Sequence, residues 1–284
     1  MSGIIESGMA GPLPAPGRGS ALLVLGAGGR AGGGVVDAAL AAGRRVIAAG
    51  DDAAALCALA GRHPGAALQV VAQPIASDAD AAGLARRLRA LRQPIDGVVA
   101  AIGRAQPCGR LLDEAADVLQ RTLDDDLLPH LFAARHLFPL LPRGADGYVL
   151  VGGPGGQHPW AGYGHCSIAA AALRMMARVL HDEAATHGLR VQMLAVEPPL
   201  TPCGLERSGD APRRATEIGR RALALLARGH HAAAPSARAA DALPTDAVLP
   251  AGNHLPARDL HAARALLAAV ASPMSPGNFH DERC

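Results

Sequence analysis

The stretch that most constrains this chain is residues 21–52, ALLVLGAGGRAGGGVVDAALAAGRRVIAAGDD. A short apolar run, Ala21–Leu25, is closed by Gly26. A glycine-rich turn is expected over 26–34 and an Ala-rich helix over 35–42, with Gly43 at the position just past a helix end that favours positive φ. A second apolar run, 45–49, ends at Asp51 and Asp52. Strand, glycine turn, helix and strand in this order make the opening βαβ unit of a dinucleotide-binding sheet. Glycines permit positive φ and let backbone N–H groups approach a pyrophosphate, and the helix N-terminus adds partial positive charge. Gly26, Gly28 and Ala31 fit G-x-G-x-x-[G/A], a pattern whose weight comes from its place between a strand and a helix. Asp51 has two readings. It could accept from a ribose hydroxyl and disfavour a 2′-phosphate, or it could cap a helix over 53–61. Arg30, Arg44 and Arg45 pull toward phosphate. The expected cofactor is NAD or NADP, with Asp51 tilting the expectation toward NAD.

The rest of the chain alternates strands with helices. Strands are expected at 66–72, 95–102, 147–151, 189–196 and, late and short, 247–250. Helices are expected at 79–92 with Leu84, Leu88 and Leu91 on one face, at 113–141 with a kink or break at Pro129, at 167–187, and at 213–228, with a further one at 259–271. This alternation predicts an α/β fold: a single Rossmann-type, doubly wound parallel sheet of about seven strands flanked by helices. Residues 1–19, rich in Gly and Pro, are expected to form a flexible arm. Residues 20–253 make the domain, and 254–284 a C-terminal extension.

Composition narrows the function classes. Net charge is +2, so no nucleic-acid partner is implied. No apolar run reaches membrane-spanning length. The start, MSGIIESGMAGPLPAPGRGS, lacks the basic and apolar regions of a signal peptide. Five cysteines without C-x-x-C spacing suit reduced thiols rather than disulfides or a zinc site, so a cytoplasmic protein without a metal is expected. The chain contains no lysine, and its asparagines are Asn253 and Asn278.

The order of elements and several local motifs resemble the short-chain dehydrogenase/reductase family over residues 20–253. The family's opening T-G-x-x-x-G-x-G aligns with LGAGGRAG, residues 25–32, where Gly26 and Gly32 match and Arg30 replaces the middle glycine. A second register, through Gly28, Gly32 and Gly34, restores three glycines and shortens the helix. Strand four reads DGVVAAIG, closed by Gly103, with alanines where the family has asparagines. The helix motif S-K-A-A-L…L-A-x-E…H-G-I-R-V aligns with residues 169–191 through Arg178, Glu183 and the run His187, Gly188, Leu189, Arg190, Val191. The late TDAVLPAG, residues 245–252, is similar to the family's T-G-Q-V-L-P-V-D-G-G. By this resemblance Gly26, Gly28, Arg30, Gly32, Asp51 and Gly103 are the expected cofactor-binding residues.

The family's chemistry uses a Tyr as proton donor, a Lys one helical turn later that lowers its pKa, a Ser on the substrate oxygen and an Asn completing a relay. In the register above those positions hold Cys166, Ala170, Gly153 and Asp126. Tyr163 would take the Tyr position only with three inserted residues, and its partner one turn on would be Ser167. A Tyr without a cation keeps a pKa of about 10 and donates poorly. His158 or His165 could act as acid instead, since imidazole titrates near neutrality, and Cys166 could be a thiolate activated at a helix N-terminus. The candidate catalytic residues are therefore Tyr163, Asp126, His165 and Cys166.

Three functions follow. The first is a non-catalytic or regulatory partner of an active reductase. The second is an NAD(P)-dependent oxidoreductase with a rearranged site using Tyr163 or a His. The third is a non-redox isomerase, lyase or cyclase in the same cleft, with Asp126, His158 or His165 as acid/base. The resemblance also implies a homo- or hetero-dimer through helices 113–141 and 167–187, with Leu173, Met176, Ala177 and Leu180 as the packed stripe.

Overall fold

The structure is a computed structural model. It describes residues 19–104, 109–153, 155–156, 159, 162–196, 211–227 and 246–247. All of these fall within the unit Met1–Leu249. The expected helix at 259–271, His158 and most of the loop 197–212 lie outside the described residues.

Strand β1 (Ala21–Leu25) runs into helix α1 (Arg30–Ala41), then β2 (Arg45–Gly50), α2 (Ala53–Arg62), β3 (Leu68–Ala72), α3 (Asp78–Ala90) and β4 (Ile95–Ala100). The second half has α4 (Val118–Asp126), α5 (Leu128–Leu137), a 3-10 turn, β5 (Gly147–Gly152), α6 (Gly164–Ala185), β6 (Val191–Ala195), α7 (Ala211–Ala227) and β7 (Asp246–Ala247). The sheet order is β3-β2-β1-β4-β5-β6-β7. Strands β1 to β6 pair in parallel, while the two-residue β7 runs antiparallel to β6. Where it is described, the seventh strand runs opposite in direction to the rest of the sheet.

Period-two alternation along β-branched and Leu-rich strands sends side chains to both faces, and both faces are covered. Leu22, Val24, Val46, Ala48 and Val99 pack with Val35 and Val36 of α1, Leu56 and Leu59 of α2, and Leu223 and Leu226 of α7. Leu23, Leu25, Ile47, Val98 and Leu150 pack on the other face with Leu84 and Leu88 of α3, Leu137 of α5 and Leu173 of α6. This is the doubly wound arrangement. The order reverses at β1, placing a crevice at the carboxyl ends of β1 and β4.

Two local readings change, and the break expected at Pro129 is located. The turn after β1 is shorter than expected: α1 begins at Arg30, so Gly32, Gly33 and Gly34 are helical. They survive there because two of them meet backbone. A Cβ on Gly32 would lie 2.2 Å from the Gly26 carbonyl oxygen, and one on Gly34 would lie 2.1 Å from the Ala215 carbonyl of α7. The helical stretch 113–141 breaks at Pro129 as expected, into two helices with Leu127 (φ −115°, ψ −60°) between them and Pro129 in the first turn of the second, though the first starts only at Val118. Proline lacks the N–H that would continue α4, and it restricts the residue before it. The stripe of Leu173, Ala177 and Leu180 is buried in this chain's own core, and Met176 packs against it. The large apolar residues that α6 leaves exposed are Ile168, Met175 and Val179.

The helix ends follow local chemistry. α1 closes with Gly43 at φ +73°, its N–H donating to the Leu40 carbonyl (2.9 Å) and that of Arg44 to Ala39 (3.0 Å), a Schellman end. Asp52, not Asp51, caps α2, its carboxylate accepting from the Ala55 N–H at 2.9 Å. At the amino ends of the strands, away from the crevice, the Arg44 guanidinium bridges Asp96 and Asp146 at 2.8 Å each, with side chains only 11–16% exposed.

Candidate functional site

The crevice is assembled from strand ends. The turn Gly26–Gly29 leaves β1, Asp51 leaves β2, Gly103 and Arg104 leave β4, and Gly152 and Gly153 end β5. The N-terminus of α6, with Tyr163, His165 and Cys166, follows the loop that leaves β5.

The turn is held by its own backbone. The Ala27 N–H donates to the Ala49 carbonyl and that of Gly29 to Gly26, both at 3.0 Å. Gly26 has φ +67°, and a Cβ there would stand 2.2 Å from the Ala101 carbonyl oxygen, against the end of β4. With Gly32 seated on the Gly26 carbonyl, the pair forms a close strand–helix junction that any side chain would force open. This distinguishes the two registers: Gly26 and Gly32 share the junction, whereas Gly34 packs on α7. Gly28 is exposed at the turn's tip, and Arg30 is the first residue of α1 and exposed. The first N–H groups of α1 have no intrahelical acceptors, as at any helix start, and the dipole there favours an anion. A diphosphate therefore fits the turn.

At the β2 end, Asp51 is 55% exposed and pairs with the Arg104 guanidinium at 2.7 Å. Arg104 lies just past Gly103 and also reaches Asp125 at 3.6 Å. Its backbone N–H donates to Asp126 Oδ1 at 2.8 Å. Sequence reasoning missed Arg104. Its only signal is the strand order, which puts the ends of β2 and β4 on either side of β1.

The candidate proton donors are arranged as follows. Cys166, the third residue of α6, is half-buried. Burial, with the Asp126 carboxylate adding to it, pushes its thiol up to about 11. An activated thiolate is therefore not what this helix start makes, because desolvation and a nearby anion outweigh the helix dipole. Asp126, at the end of α4, is engaged with the Arg104 backbone. Tyr163 is the residue before α6, half-buried, bridged to Gly109, and its carbonyl accepts from the Ser167 N–H at 2.9 Å. His165 is 0% exposed, and neither ring nitrogen has a hydrogen-bond partner among the described residues. Ala170, one turn after Cys166, is a buried methyl group, and Gly153 is exposed with open space where a Cβ would be. A second residue missed from sequence is His130 of α5, wholly buried, with Nε2 3.1 Å from the Ile102 carbonyl. Burial lowers its pKa to about 4, so it stays neutral beside the end of β4. Among the described residues, no group of three His, Cys, Asp or Glu could hold a metal ion, and no helix is long and apolar enough to cross a membrane.

Residues 30–232 match the family model described as enoyl-(acyl carrier protein) reductase. A search of curated proteins gave no match. Among solved structures, the chain is similar to a short-chain type dehydrogenase/reductase from Mycobacterium ulcerans, at 19% identity and TM-score 0.64, covering 73% of this chain and 82% of that one. It is similar to a dehydrogenase/reductase from Sinorhizobium meliloti 1021, at 15% identity and TM-score 0.64, covering 75% and 89%. It is also similar to a citronellol catabolism dehydrogenase from Pseudomonas aeruginosa PAO1, at 22% identity and TM-score 0.61, again covering 75% and 89%. These likenesses give the same fold, and the family model spans most of the sheet and its helices. With the 3-2-1-4-5-6 strand order and the Gly26–Gly32 junction, the chain belongs to the short-chain dehydrogenase/reductase superfamily.

Proposed function

We propose that this chain is a dinucleotide-binding member of the superfamily without the family's proton relay, acting as a non-catalytic or regulatory partner of an active reductase. Reducing a carbonyl needs a proton delivered at the oxygen by a donor tuned toward working pH. The observation that carries the reading is the set of groups at the four relay positions. Gly153 and Ala170 carry no titratable group. The Cys166 thiol is held up to about 11, and Asp126 accepts from the Arg104 N–H. A bound NAD(P)H would supply a hydride. The residues of this chain that would hold it are the Gly26, Gly28 and Gly32 turn with Arg30 on the phosphates, Asp51 toward the adenosine ribose, and Gly103 at the β4 end.

Pairing through α5 and α6 is the second part of the proposal. Leu131, Ile168, Met175 and Val179 are large apolar residues left 40–57% exposed on these two helices. The test is turnover. The purified chain with NADH or NADPH and a panel of aldehydes and ketones is expected to oxidise no dinucleotide, and mixing with an active relative is expected to form a heterodimer. A homodimer that reduces ketones at ordinary family rates would contradict the reading.

One observation favours the rearranged oxidoreductase as a second reading: Tyr163 stands half-buried at the start of α6, three residues ahead of Cys166. Activity lost in Tyr163→Phe with dinucleotide binding intact would support it.

A further inference from the structure

Between β2 and β4 lies β1, so the carboxyl ends of β2 and β4 stand two strand spacings apart, about 10 Å, with the Gly26–Gly29 turn between them. The Asp51–Arg104 ion pair crosses that gap. Asp51 comes one residue after β2 and Arg104 four residues after β4, and their side chains meet at 2.7 Å. The crossing is anchored on the β4 side, where the Arg104 backbone N–H is tied to Asp126 Oδ1 at 2.8 Å.

We propose that Arg104 is a specificity-determining residue at the adenosine end of the cleft. Its guanidinium occupies the carboxylate that would accept a ribose 2′-OH and supplies a cation where a 2′-phosphate would lie. The proposal rests on the dinucleotide-binding reading above.

Three features of the site support it. First, the acid at the end of the second strand favours the unphosphorylated ribose because its carboxylate accepts from the diol and repels a phosphate. Asp51 in this chain is already paired, so the diol must displace Arg104 before it can bind. A 2′-phosphate instead meets a guanidinium with the planar fork that suits phosphate. Second, the neighbouring carboxylates do not substitute for Asp51. The Asp52 side chain is committed to the Ala55 N–H at the start of α2, and Asp125 is itself engaged by Arg104, 3.6 Å from its Nε. Third, both partners are more than half exposed, at 61% and 55%, so the pair can be displaced. An exposed pair of this kind opposes the diol by about twofold to fivefold in affinity.

The experiment is calorimetric titration of the full chain, wild type and Arg104→Gln, with NADH and with NADPH at one low salt concentration. Arg104→Gln is expected to bind NADH about twofold to fivefold more tightly, and NADPH several-fold more weakly. In an Asp51→Asn background the NADH gain is expected to vanish, because no carboxylate is left to release. A general loss of positive charge would weaken both ligands, NADPH more, so the tightening of NADH is the distinctive result. Binding of both dinucleotides with NADH unchanged or weaker in Arg104→Gln would overturn the role of Arg104 and leave the dinucleotide reading standing. Binding of neither to the wild type would overturn that reading and this inference together.

Discussion

Three successive glycines of α1 are expected to respond in opposite ways to the same substitution. In a helix interior, Gly→Ala gains about 1 kcal/mol from backbone propensity wherever the methyl group has room. At Gly33 it has room: the nearest atoms to a Cβ are the Ala27 carbonyl oxygen at 3.7 Å and Arg62 Nη2 at 3.9 Å. Gly33→Ala should therefore stabilise by about 0.5–1 kcal/mol, raising Tm by about 1–4 °C for a chain of this size. At Gly34 the same Cβ would lie 2.1 Å from the Ala215 carbonyl oxygen and 2.3 Å from its carbon, and Gly219 of α7 reciprocates with 2.2 Å to the Gly34 carbonyl. These are backbone atoms, so α1 and α7 must separate by about 1 Å, losing close contact along their length. Overpacking of this kind costs about 1–3 kcal/mol, which exceeds the propensity gain. The net expectation for Gly34→Ala is a loss of about 1–2 kcal/mol and a Tm lowered by several degrees. At Gly32 the methyl group would meet the Gly26 carbonyl at 2.2 Å. A similar stability loss is expected there, together with a distorted turn. Thermal and urea unfolding of the three variants would measure this. Equal shifts at Gly33 and Gly34, or stabilisation at Gly34, would refute the packing argument.

Arg44→Met removes the cation between Asp96 and Asp146 and leaves two nearly buried carboxylates facing each other. A loss of about 2–3 kcal/mol in urea unfolding is expected, and a loss below about 0.5 kcal/mol would contradict it. His130 titrates at about 4 in the folded chain against 6.5 as the ordinary value, so the unfolded chain binds more protons between those pH values. Its contribution is complete above pH 6.5 and is lost as pH falls toward 4. Wild type should lose about 2 kcal/mol more than His130→Gln between pH 7 and pH 5, and parallel pH profiles would contradict this. In a variant keeping Cys166 as its one cysteine, the iodoacetamide rate should keep rising with pH toward about 11 rather than levelling near 9. A plateau by pH 8 would restore the activated thiolate.

The fold was legible because parallel strands buried on both faces leave near-continuous apolar runs punctuated by glycine and proline. The runs at Ala21–Leu25, Arg45–Gly50 and Ile95–Ala100 fell within a residue or two of where they were expected. The starts of helices were less legible. Gly32, Gly33 and Gly34 read as turn because glycine is a poor helix former, whereas Gly32 and Gly34 answer to carbonyls of Gly26 and Ala215 that are distant or unseen in the local sequence. The stripe Leu173, Ala177 and Leu180 has a spacing that suits a partner helix as well as the chain's own sheet, and periodicity cannot tell the two apart. At the site, the helix motif puts Cys166 and Asp126 at the family's Tyr and Asn positions, and the Asp126 carboxylate adds to the rise of the Cys166 thiol. The Asp51–Arg104 pair was not legible, since it joins residues 53 positions apart through a strand order that only the assembled sheet supplies.

On the dinucleotide-binding proposal, the Gly26–Gly32 junction makes a working dinucleotide cradle. Calorimetric titration of the wild type and of Gly32→Ala with NADH and NADPH, at a temperature where both are folded, tests it most directly. Saturable binding to the wild type is expected and none measurable to Gly32→Ala, with Gly33→Ala binding like the wild type. No binding of either dinucleotide to the wild type, or equal binding to Gly32→Ala, would contradict it.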